Sequence, residues 1–379
     1  MRKEILLIAL ITCTTFIYAQ NNANTPYSLF GLGVENKTAT GGLTGLGNSG
    51  IAQKNTFEIN SINPANLGNI VQKSFLYEFG LNGIYSTLKT GNLSETSKNA
   101  NFSHLAIAFP LKENWGMGIG LLPYTKTGYN VDIESPIEGT TDTYITRITG
   151  SGGLNKFYLS TGFKVLKNIS LGVDLSFLFG SINQESLLYT DSFASISDQN
   201  NYRGVKLKTG FQYTLPTIKK VETTIGGTLE LPTSLSGTQT RSSYKTSSSG
   251  TSISIEDEVE NELDNFELPF SYGIGITSIF SKKITTSLDY RKLLWSNTSQ
   301  KLNTERYTNQ SVYAFGLEYQ STKNKFKYWN NVKYRLGANY NTGFLKISNK
   351  QIDSYFLSAG LGLPLGKLNR SNLNISYSY

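Results

Sequence analysis

The chain carries few residues that could do covalent chemistry. Its one histidine, His104, and its one cysteine, Cys13, are far apart in a sequence of 379 residues. A zinc site at His104 would need a second histidine or a nearby cysteine, and the sequence has neither. A Ser-His-Asp arrangement cannot be argued without a spatial relation between its members. His104 falls on a lumen-facing side of its strand beside Phe102 and Ala106, so it reads as a satisfied polar residue. Glu256, Asp257, Glu258, Glu260, Glu262, Asp264 and Glu267 offer enough carboxylates for calcium, but their spacing matches no calcium loop and they read as a solvated outer loop. The glycines from Gly150 to Gly153 precede no helix and therefore cradle no phosphate. The expectation is a protein that is no enzyme, with no catalytic residue, metal or cofactor.

Composition points the same way. Only 16% of residues are charged, while Gly (36), Tyr (23) and Phe (20) are abundant, a mixture that suits strands and turns rather than helices. Met1-Arg-Lys-Glu, an apolar run over 5–17 and Tyr18-Ala19 describe a secretory signal with cleavage after Ala19. Cys13 lies inside that signal, which leaves the exported chain without cysteine chemistry. The net charge of +8 is spread over single or paired Lys and Arg, so nucleic acid is not an expected partner. After the signal no stretch approaches about 18 consecutive apolar residues, which excludes a helical inner-membrane protein.

The elements that hold these residues are strands. Ile169, Leu171, Val173, Leu175, Phe177 and Phe179 alternate with Ser170, Gly172, Asp174 and Ser176, the period of a β-strand with one apolar face. A sandwich strand runs about 5 or 6 residues, whereas a tilted membrane-spanning strand needs about 9 to 11. The runs here are of the longer kind. Thirteen strands can be counted, near 74–87, 101–111, 115–133, 142–165, 169–189, 202–216, 221–240, 266–280, 284–296, 305–319, 331–344, 354–364 and 371–379. Their connections alternate between tight, lysine-bearing turns (112–114, 166–168, 217–220, 281–283, 365–370) and long polar ones (88–100, 191–201, 241–265). Outer-membrane barrels have this asymmetry. Tyr77, Tyr124, Tyr129, Tyr202, Tyr290, Tyr355 and Trp295 near strand ends are the expected aromatic girdles.

Residues 26–70 have no strand or helix period and end in Asn60-Ser-Ile-Asn-Pro-Ala-Asn66. The expected division is a signal over 1–19, a luminal hatch over 20–71 and an all-β, antiparallel transmembrane barrel of about fourteen strands over 72–379. Inward-facing strand residues are mostly Gly, Ser, Asn and Lys, so an apolar lining would have to come from Leu43, Leu46 and Ile51 of the hatch.

With those features in place, the chain resembles the FadL/TodX family of outer-membrane long-chain fatty acid and aromatic-hydrocarbon transporters, most of all the version common in Bacteroidota. The resemblance rests on Pro26-Tyr-Ser-Leu-Phe-Gly-Leu-Gly33, Gly45-Leu-Gly-Asn-Ser-Gly50, Asn63-Pro-Ala65, Trp115-Gly-Met-Gly-Ile-Gly-Leu-Leu-Pro-Tyr124, Gly150-Ser-Gly-Gly-Leu-Asn155, Tyr334-Arg-Leu-Gly337 and Gly360-Leu-Gly-Leu-Pro-Leu365, in that order. It implies fourteen strands, a hatch motif at Asn63, Pro64 and Ala65, and a kinked third strand. Leu122, Pro123 and Tyr124 would then form a lateral gate through which a hydrophobic ligand reaches outer-membrane lipid. A count of thirteen leaves Tyr379 on the outer side, so either one strand escapes the count or this sequence stops before the last one; the second is preferred. The function expected from the resemblance is passive uptake of hydrophobic small molecules. The alternative is a barrel that serves as a subunit or docking partner among other outer-membrane proteins, in a secretion or assembly machine.

Overall fold

A computed structural model describes residues 25–36, 39–136, 139, 143–189, 193–246, 251–299, 307–321, 327–347, 350–365 and 371–379. The expected signal and Cys13 lie outside them. Thirteen traversals follow: β1 (Leu76–Thr90), β2 (Leu93–Lys112), β3 (Trp115–Pro123, continuing as Thr125–Pro136), β4 (Thr143–Leu166), β5 (Ile169–Tyr189) and β6 (Phe193–Thr214) come first. Then come β7 (Val221–Glu230 and Thr233–Thr246), β8 (Ser252–Leu268 and Ser271–Phe280), β9 (Ile284–Leu293), β10 (Gln310–Gln320), β11 (Lys333–Asn341), β12 (Ser354–Leu365) and β13 (Ser371–Ser378). Each pairs antiparallel with the next, in one continuous wall from β1 to β13.

The wall is inside out relative to a soluble protein. On β5, Leu171, Val173, Leu175 and Phe177 are 40 to 49% exposed, while Ser170, Asp174 and Ser176 are buried. An apolar exterior around a polar, packed interior is what a bilayer selects, because strands in lipid must pair all their backbone groups and offer hydrocarbon outward. The protein is a transmembrane β-barrel. No helix among the described residues is long and apolar enough to cross a membrane.

Three sequence expectations change. The acidic residues from Glu256 to Glu267 form no loop: they lie on β8, paired in register with β7, for example Glu260 against Thr240 and Glu262 against Thr238. Residues 93–100 and 193–201, also expected as loops, are likewise strand. The girdle splits. Tyr77 and Tyr355 point outward, and Tyr290 belongs to an external row in which Tyr272, Tyr290, Tyr313 and Tyr340 follow one another at 6.5, 5.2 and 6.3 Å between ring centres. Tyr124, Tyr129, Tyr202 and Trp295 point inward instead. Aromatic rings near strand ends have the same sequence signature on either face.

The described residues from 26 to 70 lie inside the wall as three 3-10 turns (Pro26–Leu29, Gly41–Leu46, Pro64–Asn69) and a two-residue strand (Val34–Glu35) with irregular chain between them. They pack on a belt of inward-facing glycines. A Cβ added at Gly116 would sit 2.1 Å from Leu67 O, at Gly172 2.3 Å from Pro64 C, at Gly226 2.5 Å from Ile51 O and at Gly337 2.0 Å from Gly47 N. Backbone meets backbone there, and no rotamer change could relieve the clash.

Gly172→Ala and Gly337→Ala should therefore each cost about 1 to 3 kcal/mol through overpacking and expose the hatch to protease while the wall persists. Gly83→Ala, whose Cβ meets nothing within 4 Å, should be neutral. Limited proteolysis with thermal melting checks all three.

Candidate functional site

The wall is irregular where β3 breaks. The β2–β3 ladder runs from Lys112–Trp115 to Leu105–Leu121, and beyond it β3 leaves β2. Pro123, fully buried, has no N–H to give a ladder. On its other side β3 keeps β4 throughout, but the register shifts by one residue between Pro123–Asn155 and Thr127–Gly152. Tyr124 N donates to Leu154 O at 2.7 Å and Thr125 Oγ1 accepts from Leu154 N at 3.1 Å, which satisfies backbone across the shift. Gly152 and Gly153 have φ of +108° and +137°, and a Cβ on Gly153 would lie 2.3 Å from Thr125 O. The glycines that hold no phosphate thus let β4 follow the bend in β3.

What β2 gives up, the N-terminal segment supplies. Val34 pairs with Lys126 and Glu35 with Thr125 in an antiparallel ladder. Asn36 N donates to Tyr124 O at 2.9 Å and Asn36 Nδ2 to Pro123 O at 3.0 Å. Further along, Thr25 N donates to Gly128 O at 3.1 Å, and Ser28 Oγ accepts from Gly128 N at 3.0 Å. From Pro123 to Gly128 the hatch acts as the missing neighbour of β3. A two-residue strand has no sequence period, so these residues could not be found by pattern.

Asn63, Pro64 and Ala65 sit elsewhere, against β4, β5 and β6. Asn63 Nδ2 donates to Ile51 O (2.7 Å) and to Phe211 O on β6 (3.1 Å), while its Oδ1 accepts from Ala65 N (3.0 Å). Leu43, Leu46 and Ile51 pack with Ala39 and Ile62 as the hatch's own core. The larger apolar cluster was missed by the sequence reading. Leu154, Leu178, Ile182, Leu235 and Leu268 of the wall join Leu32 of the hatch, and Tyr124 packs against them. The cluster extends outward to Trp295, Tyr307 and Phe344, with Trp295 and Phe344 stacked at 4.5 Å. It connects the long-loop mouth to the break in β3.

Charge ties the hatch down. Glu58 receives Lys333 Nζ at 2.6 Å and Arg335 Nη2 at 3.2 Å, and Arg335 Nε also donates to Glu318 at 2.6 Å. Asp289 Oδ2 accepts from Gly50 N (2.6 Å) and Ile51 N (2.9 Å), and Lys208 Nζ donates to Ile62 O (3.2 Å). His104 Nε2 lies 3.6 Å from Glu78 Oε2, and Glu78 in turn accepts from Ile59 N of the hatch. Among the described residues no group of three or more metal-ligating side chains converges.

The BamG family model matches residues 1–379, the whole chain. The chain belongs to the BamG family. No curated protein matches it. Among solved structures it is similar to the CymD monoaromatic hydrocarbon channel, at 19% identity over 91% of this chain and 94% of that one, with a TM-score of 0.59. It is also similar to the P. putida toluene transporter TodX (17%, 90% and 92%, 0.65) and to a Pseudomonas aeruginosa FadL homologue (14%, 91% and 90%, 0.59). This BamG-family chain therefore has the FadL-type barrel fold that the resemblance implies.

The Glu58 clamp has a pH signature. Burial pushes its carboxyl up, but Lys333 and Arg335 outweigh burial and hold it at about 2, against an ordinary 4.5. A lowered folded-state pKa gives stability that is present above about pH 4.5 and lost as the pH falls toward 2, on the order of 3 kcal/mol. Wild type should lose hatch protection over that window. Glu58→Gln should be less stable at pH 7 and show a smaller acid loss, as read by melting and proteolysis against pH.

Proposed function

We propose that the protein lies in the outer membrane of a diderm bacterium, exported by a cleaved signal, and lets hydrophobic small molecules of the fatty acid or hydrocarbon class cross its outer leaflet passively. The route runs inward from the mouth at Trp295 and Phe344, along the wall leucines, to Tyr124 and out sideways where β3 has left β2. The hatch stays in place. The single observation that carries this reading is the apolar cluster, which reaches from Trp295 and Phe344 at the mouth to Tyr124 at the break in β3. The similar structures, a toluene transporter and a monoaromatic hydrocarbon channel, support the same ligand class. Leu122, Pro123 and Tyr124 are the lateral gate in this account, and Asn63, Pro64 and Ala65 anchor the hatch on β4, β5 and β6. No step requires bond chemistry, so the protein is not an enzyme.

One observation favours a second reading, a non-transporting subunit or docking partner of an outer-membrane machine. The core residues of the luminal cluster, Leu154, Leu178, Leu235, Leu268 and Trp295 among them, are each less than a tenth exposed. A route through them must open before anything passes.

Uptake of a labelled hydrophobic probe by cells separates the two. Pro123→Ala restores a ladder donor at the break and should lower the uptake rate at least about threefold with folded barrel unchanged. An unchanged rate, with a protein partner co-purifying in mild detergent, would replace the gate with the subunit reading.

A further inference from the structure

The short turns carry charge where backbone geometry argues against it. Lys219 and Lys220 (φ +47° and +68°) and Ser281 and Lys282 (φ +49° and +57°) occupy the two central positions of tight hairpin turns. Positive φ at both positions is the geometry for which Asn-Gly is preferred, because a side chain crowds the backbone there. Lysine in three of four such places trades local stability for charge. Lys73, at the same rim just before β1, does so too, at φ +58°.

The two hairpin turns are also one surface. Ser281 N donates to Lys220 O at 2.9 Å, which fixes the turns side by side, and Gln320 N of β10 donates to Lys283 O at 2.8 Å. Lys219, Lys220 and Lys282 are exposed and Lys283 is half-buried. The nearest carboxylate in sequence, Glu222, is paired with Lys54 of the hatch at 4.0 Å and not with the turn lysines. Directly beside them Ile218 (68% exposed), Phe280 and Ile284 face outward at the edge of the apolar band. The acidic stretch of β8 lies at the other end of the barrel, so the positive charge belongs to this rim and not to the surface at large.

We propose that the turns at 217–220 and 281–283 together form a binding site for an anionic phospholipid of the leaflet at the short-turn rim. Lysine ammonium groups are compact point charges suited to a phosphate. Ile218, Phe280 and Ile284 lie where acyl chains begin, so head and tails find complementary surface at one place. An acidic protein would match the charge but not the outward apolar residues at membrane depth. A basic cluster next to a bilayer draws anionic lipid by about 1 kcal/mol per lysine, a preference of roughly fivefold for each. The proposal rests on the barrel's membrane setting and is independent of whether the barrel transports.

The test is native mass spectrometry of the detergent-purified barrel offered phosphatidylglycerol or phosphatidylcholine. Wild type should retain phosphatidylglycerol at least about fivefold better. The variant Lys219→Asn, Lys220→Gly, Ser281→Asn, Lys282→Gly should bring the two lipids to within about twofold while melting at or above the wild-type temperature, since Asn-Gly suits both turns. Lys219→Gln with Lys282→Gln, which keeps side-chain length, should give a smaller loss of the same kind. Equal retention of both lipids by wild type overturns the proposal, as does a folded four-residue variant that keeps the preference. An acidic protein as the true occupant would produce one of those two results.

Discussion

Hatch backbone rests directly on wall backbone at Gly116, Gly172, Gly226 and Gly337, with no room for a single added carbon. That contact sets the level of the hatch in the lumen, and the polar contacts depend on it. Only a hatch seated this deeply brings Glu58 between Lys333 and Arg335, the Gly50 and Ile51 amides onto Asp289, and Ile62 O onto Lys208. Each charge in these contacts is matched by an opposite charge or by backbone dipoles, which is the condition for keeping charge in a packed interior. The wall positions the hatch by removing side chains, and the hatch then meets Lys208, Asp289, Lys333 and Arg335 of the wall.

The same seating accounts for the break in β3. A strand that leaves its neighbour exposes N–H and C=O groups at membrane depth, a cost no barrel can carry uncompensated. Val34, Glu35, Asn36, Ser28 and Thr25 take up those groups from Pro123 to Gly128, so the hatch completes the sheet from inside. Gly152 and Gly153 let β4 accommodate the displacement. The break and the N-terminal segment are therefore one structural unit: the departure of β3 from β2 is tolerated because the N-terminal segment stands in.

Much of this was legible from residues. The alternation over 169–179 and the lysine-bearing tight turns led to all thirteen traversals, since period and turn chemistry agree there. The outer ribbons were not legible: residues 252–264 are exposed on nearly both faces, so no apolar alternation marks them as strand. Trp295 was misplaced because it lies just past the end of β9, in a 3-10 turn that folds it inward. Glu58 left a usable trace. Only Glu35, Lys37, Lys54 and Glu58 are charged between 26 and 70, and Lys333 and Arg335 share one face of β11, a pattern that asks for a buried carboxylate. The partnership of Val34–Glu35 with β3 had no such trace, because it consists almost wholly of backbone.

In the proposed function solute passes beside a stationary hatch. A barrel with Val34→Cys and Lys126→Cys places two cysteines opposite each other across the hatch–β3 ladder, in a sequence whose only native cysteine is Cys13. The decisive measurement is the uptake rate of a hydrophobic probe by this protein, oxidised and then reduced. The account predicts substantial uptake at the same rate in both forms. Uptake that stops on oxidation and returns on reduction, or that is absent from both forms and from wild type, would contradict it.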